Sequence, residues 1–196
     1  VPRITEPTVA AHRAAQLARL MSAALAIVEE EGAESVTLAA VAKRAGLSRS
    51  SIYGYFASRD DLIVAVCEDA VATWCDAIIR SMTAEADPER QLREYVEAQL
   101  GAAADTRHEL AMLLLQSGVS AEGFERIRAA HAPLRGALLD TLVGMRLAAP
   151  ERAAAFVQAA VTAAYEQIRT GSPPAAVIDD THRFVTAGLR DLDRTS

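Results

Sequence analysis

Between Thr37 and Arg59 the chain carries four cations (Lys43, Arg44, Arg49, Arg59) and no carboxylate, interleaved with Ser48, Ser50, Ser51, Tyr53 and Tyr55. Cations and hydroxyls in this mixture suit contacts to a nucleic-acid backbone, where charge drives affinity and hydroxyls fix register. The chain as a whole has a formal charge of -6, yet residues 1–63 are balanced, so the excess acid lies in the remainder. An acidic body with one local basic patch fits a protein that touches DNA at one end. By itself the cation run also describes a solvated face. The elements that must position it decide between the two.

Thr37 is placed to cap a helix whose inward face is Leu38, Val41, Ala42 and Ala45, and Gly46 supplies the left-handed stop. Ser48 caps the next helix, with Ile52 and Phe56 four residues apart on one face. Ser58 and Asp61 form a capping box for a third, beginning at Arg59. Two short helices joined by a glycine turn make a helix-turn-helix, which lays its second helix in the DNA major groove. A helical wheel over residues 48–57 sets Ile52 and Phe56 inward. Ser50 and Gly54 point outward, Ser51 and Tyr53 flank them, and Arg49 and Tyr55 sit nearer the core edge. Arg49 is then the side chain able to make a bidentate contact to guanine, with Ser50 and Ser51 as weaker readers. Lys43 and Arg44 fall at the rim, where they would steer. A glycine inside a helix costs up to about 1 kcal/mol relative to alanine. Gly54 is therefore expected to be kept for its fit to the groove.

At 196 residues, 51% hydrophobic and 23% charged, the chain is long enough to bury a full core. Strand signals are weak throughout, so the expectation is all-helical. A first helix is predicted from about Val9 to Glu31, ending at Gly32, and a long one from Arg59 to about Met82. Asp87-Pro88 opens a fifth, Thr106 a sixth, and Ser120 a seventh running toward Met145, which Pro133 should bend or break. Pro150 opens an eighth, ending near Thr170-Gly171, and a ninth spans about Ala176 to Asp193. The last two are apolar over broad faces, including Phe156, Ala160 and Ala164 on one and Phe184, Val185, Gly188 and Leu192 on the other. Either they sit inside one core or they form a self-complementary surface. The need for two half-site readers favours the second, a four-helix bundle across a two-fold axis.

Several other chemistries find no support. The four histidines show no metal-ligand spacing and no CxxC is present, so neither metal nor cofactor is expected. Gly46-Leu47-Ser48-Arg49-Ser50 lacks the last glycine of a hydrolase nucleophile elbow and follows no strand. No catalytic set emerges. Cys67 and Cys75, eight residues apart on one helix, stand too far apart to bridge and read as buried thiols of a reducing cytoplasm. Leu20 to Val28 is followed by Glu29-Glu30-Glu31 and keeps one helical face, against a signal peptide, and no membrane span is expected.

These residues resemble the TetR (tetracycline-repressor) family of bacterial transcriptional regulators. The resemblance is carried by Gly32, Thr37, Ala45-Gly46-Leu47-Ser48, Ser51-Ile52-Tyr53-Gly54-Tyr55-Phe56 and Ser58-Arg59-Asp60-Asp61-Leu62, and covers about Ala24 to Leu62. It implies a homodimer of nine-helix subunits that binds a double-stranded operator through residues 9–57. Residues 58–196 would bind a small-molecule effector and dimerise. By the resemblance, Thr37, Ser48, Tyr53, Tyr55 and Arg59 match positions that contact phosphate. Pocket candidates on the helices expected to enclose the effector are Trp74, Met82, Met112, Gln116, Phe124, His131 and Tyr165, which suggest a largely apolar ligand. The expected function is a repressor released by that ligand. The reading from another class is a helical protein-binding adaptor that never touches DNA.

Overall fold

The computed structural model describes residues 9–101 and 106–194. The described residues form ten α-helices and one 3-10 turn, with no strand. The helices are α1 (Val9–Glu31), α2 (Leu38–Arg44), α3 (Arg49–Ile52), α4 (Arg59–Ala84), α5 (Pro88–Gly101), α6 (Thr106–Gln116), α7 (Ala121–Ala129), α8 (Ala132–Gly144), α9 (Pro150–Arg169) and α10 (Pro174–Arg194). The all-helical, nine-element reading holds with one refinement. The long seventh element comes as two helices, α7 and α8, broken just ahead of Pro133, which occupies the first turn of α8. Proline is tolerated there because its missing N–H would have had no partner. The 3-10 turn Ala33–Ser35 was not foreseen.

The local signals act as their chemistry requires. Thr37 Oγ1 accepts from Ala40 N at 3.1 Å and Ser48 Oγ from Ser51 N at 3.1 Å. The capping box at α4 is reciprocal: Asp61 N donates to Ser58 Oγ, and Ser58 N to Asp61 Oδ2, each at 3.0 Å. Gly46 ends α2 with φ +71°, a conformation that costs a residue bearing a Cβ.

The chain divides into two compact units, Val1–Ala70 with Arg107–Ile127, and Val71–Thr106 with Arg128–Ser196. In the first, Leu20, Ala24, Ile27, Val41, Ile52, Phe56, Leu62 and Val66 are buried, so α1, α2 and α3 close a small core with the start of α4. In the second, α5, α8, α9 and α10 pack on one another around Leu92, Val96, Leu138, Leu142, Val157 and Leu189. Both cysteines are free and buried, with Cys67 Sγ donating to Ala111 O at 3.3 Å. No helix among the described residues is long and apolar enough to cross a membrane.

Candidate nucleic-acid interface

The helix-turn-helix presents the expected face, on a shorter frame. α3 holds four helical residues, and Tyr53 to Tyr55 continue as turns, with Gly54 N donating to Ser51 O at 3.1 Å and Tyr55 N to Ile52 O at 2.9 Å. Ile52 and Phe56 are buried, Ser50, Ser51, Tyr53 and Gly54 are exposed, and Tyr55 is half-buried. Arg49 and Lys43 are exposed and pair with no described residue, so their charges face solvent. The hydroxyls of Ser50 and Ser51 both meet Ser48 Oγ, at 2.9 and 2.7 Å. This small hydroxyl cluster sits at the start of α3.

Three expected contacts are committed elsewhere. Arg44 forms an ion pair with Glu30 of α1, Nη1 to Oε2 at 2.7 Å and Nη2 to Oε1, and the guanidinium holds the Glu30 carboxyl below its usual range. Arg59 donates from Nε to Val36 O at 2.8 Å and from Nη2 to Ala33 O at 3.2 Å and Ser117 Oγ at 2.8 Å. It ties the turn before α2 and the end of α6 to the start of α4. Tyr55 donates its hydroxyl to Gln16 of α1. Gly54 also lies outside the helix, so the cost of an interior helical glycine does not arise there. A Cβ at Gly54 would come within 3.3 Å of Ser51 O.

The pocket candidates separate. Met112, Gln116 and Phe124 belong to the first unit, and Trp74, Met82, His131 and Tyr165 to the second. In the second unit, the buried Trp74 ring meets His131 edge-on, centroids 5.9 Å apart at 71°, and Met82 is buried. Phe124, Gln116 and Tyr165 are exposed, and Met112 is half-buried. The reason is helical phase. α7 buries Gly123 and Ile127, and α9 buries Ala153, Val157, Val161 and Ala164, so Phe124 and Tyr165 each fall one residue off the inward stripe. Sequence reading overlooked Gln99, a buried amide that faces the Tyr95 hydroxyl on the same helix. A glutamine on the apolar face of α5, in register with Leu92 and Val96, was the available signal.

The α9–α10 face divides in the same way. Phe156 and Phe184 are 55% and 72% exposed, Gly188 is exposed, and Ala160 and Leu192 are half-buried. Ala164 and Val185 are buried within their own unit, so they support this face from behind and do not form it.

Residues 20–66 match the family described as bacterial regulatory proteins, tetR family. The HTH-type transcriptional regulator BetI of Burkholderia ambifaria (strain MC40-6) is 34% identical over 82 residues, 41% of this chain and 42% of that protein. The chain thus spans less than half the length of such curated relatives. The BetI of Rhizobium meliloti (strain 1021) is 25% identical over 87% of this chain and 88% of its own. Among solved structures, the transcriptional regulator FadR from Bacillus subtilis in complex with stearoyl-CoA superposes with a TM-score of 0.71 at 14% identity, covering 88% of this chain and 98% of that one. Such a likeness speaks for the fold. Nothing in these comparisons supports a protein-binding adaptor.

Proposed function

We propose that this chain, which belongs to the TetR family, is a DNA-binding transcriptional regulator that acts as a homodimer and is released from its operator by a small molecule. The observation that carries the DNA-binding role is the exposed face of α3. Arg49 stands there with no partner among the described residues, beside the hydroxyl cluster at the start of α3 and above a fully buried Ile52. In this division of labour residues 9–57 grip DNA, and residues 58–196 bind the effector and dimerise. Thr37, Ser48 and Tyr53 supply phosphate contacts, Lys43 steers, and Arg49 reads a base. The exposed Phe156 and Phe184 support an isologous interface, which sets two recognition helices on successive major grooves.

For the effector, the buried Trp74 ring against the half-buried His131, together with Met82, supports a largely apolar molecule. That the B. subtilis FadR structure holds stearoyl-CoA is in keeping with such a ligand. Release is a population shift, so ligand and operator must weaken each other by the same factor.

The deciding experiment is a gel shift on the region upstream of the chain's own gene, across a series of salt concentrations. A specific complex whose affinity falls steeply with salt is expected. Arg49→Ala should flatten discrimination at one base pair in each half-site by about 1–3 kcal/mol. Binding that ignores both sequence and salt would end the proposal.

A further inference from the structure

α3 is a single turn, and one isolated turn does not hold its own geometry. Its start is capped by Ser48, and its exit runs on through turns in which Gly54 N donates to Ser51 O and Tyr55 N and Phe56 N to Ile52 O, bonds that all stay within residues 48–56. The fastening comes from α1. Arg13 Nη2 donates to Gly54 O at 2.8 Å, and the same guanidinium lies 4.8 Å from the centroid of the Tyr55 ring. Gln16, three residues further along α1 and so on the same face, accepts the Tyr55 hydroxyl proton at Oε1. A cation at a helix C-terminus is electrostatically favoured, and a planar guanidinium can donate in its plane to a carbonyl while its face lies over a ring, a geometry lysine reproduces less well.

We propose that Arg13 and Gln16 are positioning residues that set the pitch of the recognition helix, and that Tyr55 is their anchor and not a phosphate contact. The proposal rests on the DNA-binding reading above. It reassigns the hydroxyl of Tyr55, already used inside the protein, and the guanidinium of Arg13, which engages a carbonyl and a ring. It also makes the first half of α1 part of the reading head.

The test begins with a duplex selected from a random pool by the full wild-type chain, alongside a scrambled duplex. Affinity for both is measured at several salt concentrations for Arg13→Ala, Arg13→Lys, Gln16→Ala, Tyr55→Phe and the Gln16→Ala/Tyr55→Phe double variant, with a melting curve for each. Arg13→Ala and Arg13→Lys should both lose about tenfold on the selected duplex, the scale of one charge-assisted hydrogen bond. The scrambled duplex and the salt slope should be unchanged. Tyr55→Phe and Gln16→Ala should lose equally, and the double variant no more than either. Wild-type affinity in Arg13→Lys, or a salt slope lowered by about one in Arg13→Ala, would instead make Arg13 a phosphate contact and overturn the proposal. So would additive losses at Gln16 and Tyr55, unchanged affinity in all variants, or melting temperatures that fall in step with affinity. A wild-type chain that selects no duplex would overturn the DNA-binding reading itself, and this proposal with it.

Discussion

Gly123 on α7 lies so close to Val64 on α4 that a Cβ at residue 123 would stand 2.6 Å from Val64 Cγ2. The approach is held by Asp60, whose carboxylate accepts from Ser120 N at 2.7 Å and from Ser120 Oγ at 2.8 Å. Val64 is β-branched and stiff, so it cannot turn aside cheaply. Gly123→Ala is therefore expected to destabilise the chain by about 1–3 kcal/mol, despite the better helix propensity of alanine. Chemical denaturation measures it, and Val64→Ala in the same chain should recover part of the loss.

Arg59 and Lys43 separate structure from electrostatics. Arg59→Ala abandons three acceptors, Val36 O, Ala33 O and Ser117 Oγ, and should cost about 2 kcal/mol of stability. Its guanidinium is already occupied, so the salt slope of DNA binding should stay as it was. Lys43→Ala should leave stability alone and lower that slope by about 0.9. Melting curves and salt titrations of the two variants read both quantities.

Phe184 is 72% exposed on α10, beside the 55% exposed Phe156. Phe184→Glu sets a charge on this face, and an isologous interface repeats the charge on both sides. Sedimentation should show a monomer at concentrations where the wild-type chain is a dimer. Operator affinity should fall with it, because half-site readers then bind singly.

Arg146 closes α8 at φ +63°, in the position where helices favour glycine. A side chain in this conformation costs about 1–2 kcal/mol. Arg146→Gly should recover about 1 kcal/mol of it after the added flexibility of the unfolded chain is counted. A rise of a few degrees in melting temperature is the expected result.

Burial lifts the Cys67 thiol from the usual 9.0 to about 12 and the Cys75 thiol to about 11, with Glu68 and Asp76 adding to the effect. Above pH 9 an unfolded chain releases these protons while the folded chain keeps them. The folded state then binds more protons, so stability falls as pH rises from 9 toward the folded values, by up to about 1.4 kcal/mol per pH unit for each thiol. Below pH 9 the thiols contribute no pH dependence. Denaturation at about pH 8 and about pH 10 should show a smaller drop in Cys67→Ala/Cys75→Ala than in the wild-type chain.

What was legible in the sequence was local. Thr37, Ser48, Ser58 with Asp61, and Gly46 act on backbone within four residues, so residue type and spacing suffice to place them. The partners of Arg59 lie 23, 26 and 58 residues away, and those of Asp60 and Tyr55 60 and 39, and no periodicity announces them. In sequence, a cation and a phenol beside a recognition helix look the same whether they face phosphate or their own chain, so Arg59 and Tyr55 resemble DNA contacts there. Phe124 and Tyr165 were misplaced for a different reason. Their types suit a pocket, but the stripes Gly123–Ile127 and Ala153–Val157–Val161–Ala164 set the phase of each helix, and phase outranks residue type.

Lys43, exposed at the last turn of α2, is the one lysine among twenty basic residues of this sequence. An amine-reactive fluorophore therefore finds one side chain to label, and that side chain lies on the same helix-turn-helix as Arg49. With the α-amino group blocked, that lysine is an attachment point for a reporter that needs no engineered cysteine and leaves the buried thiols untouched. Dye emission from that position would follow duplex arrival and departure directly.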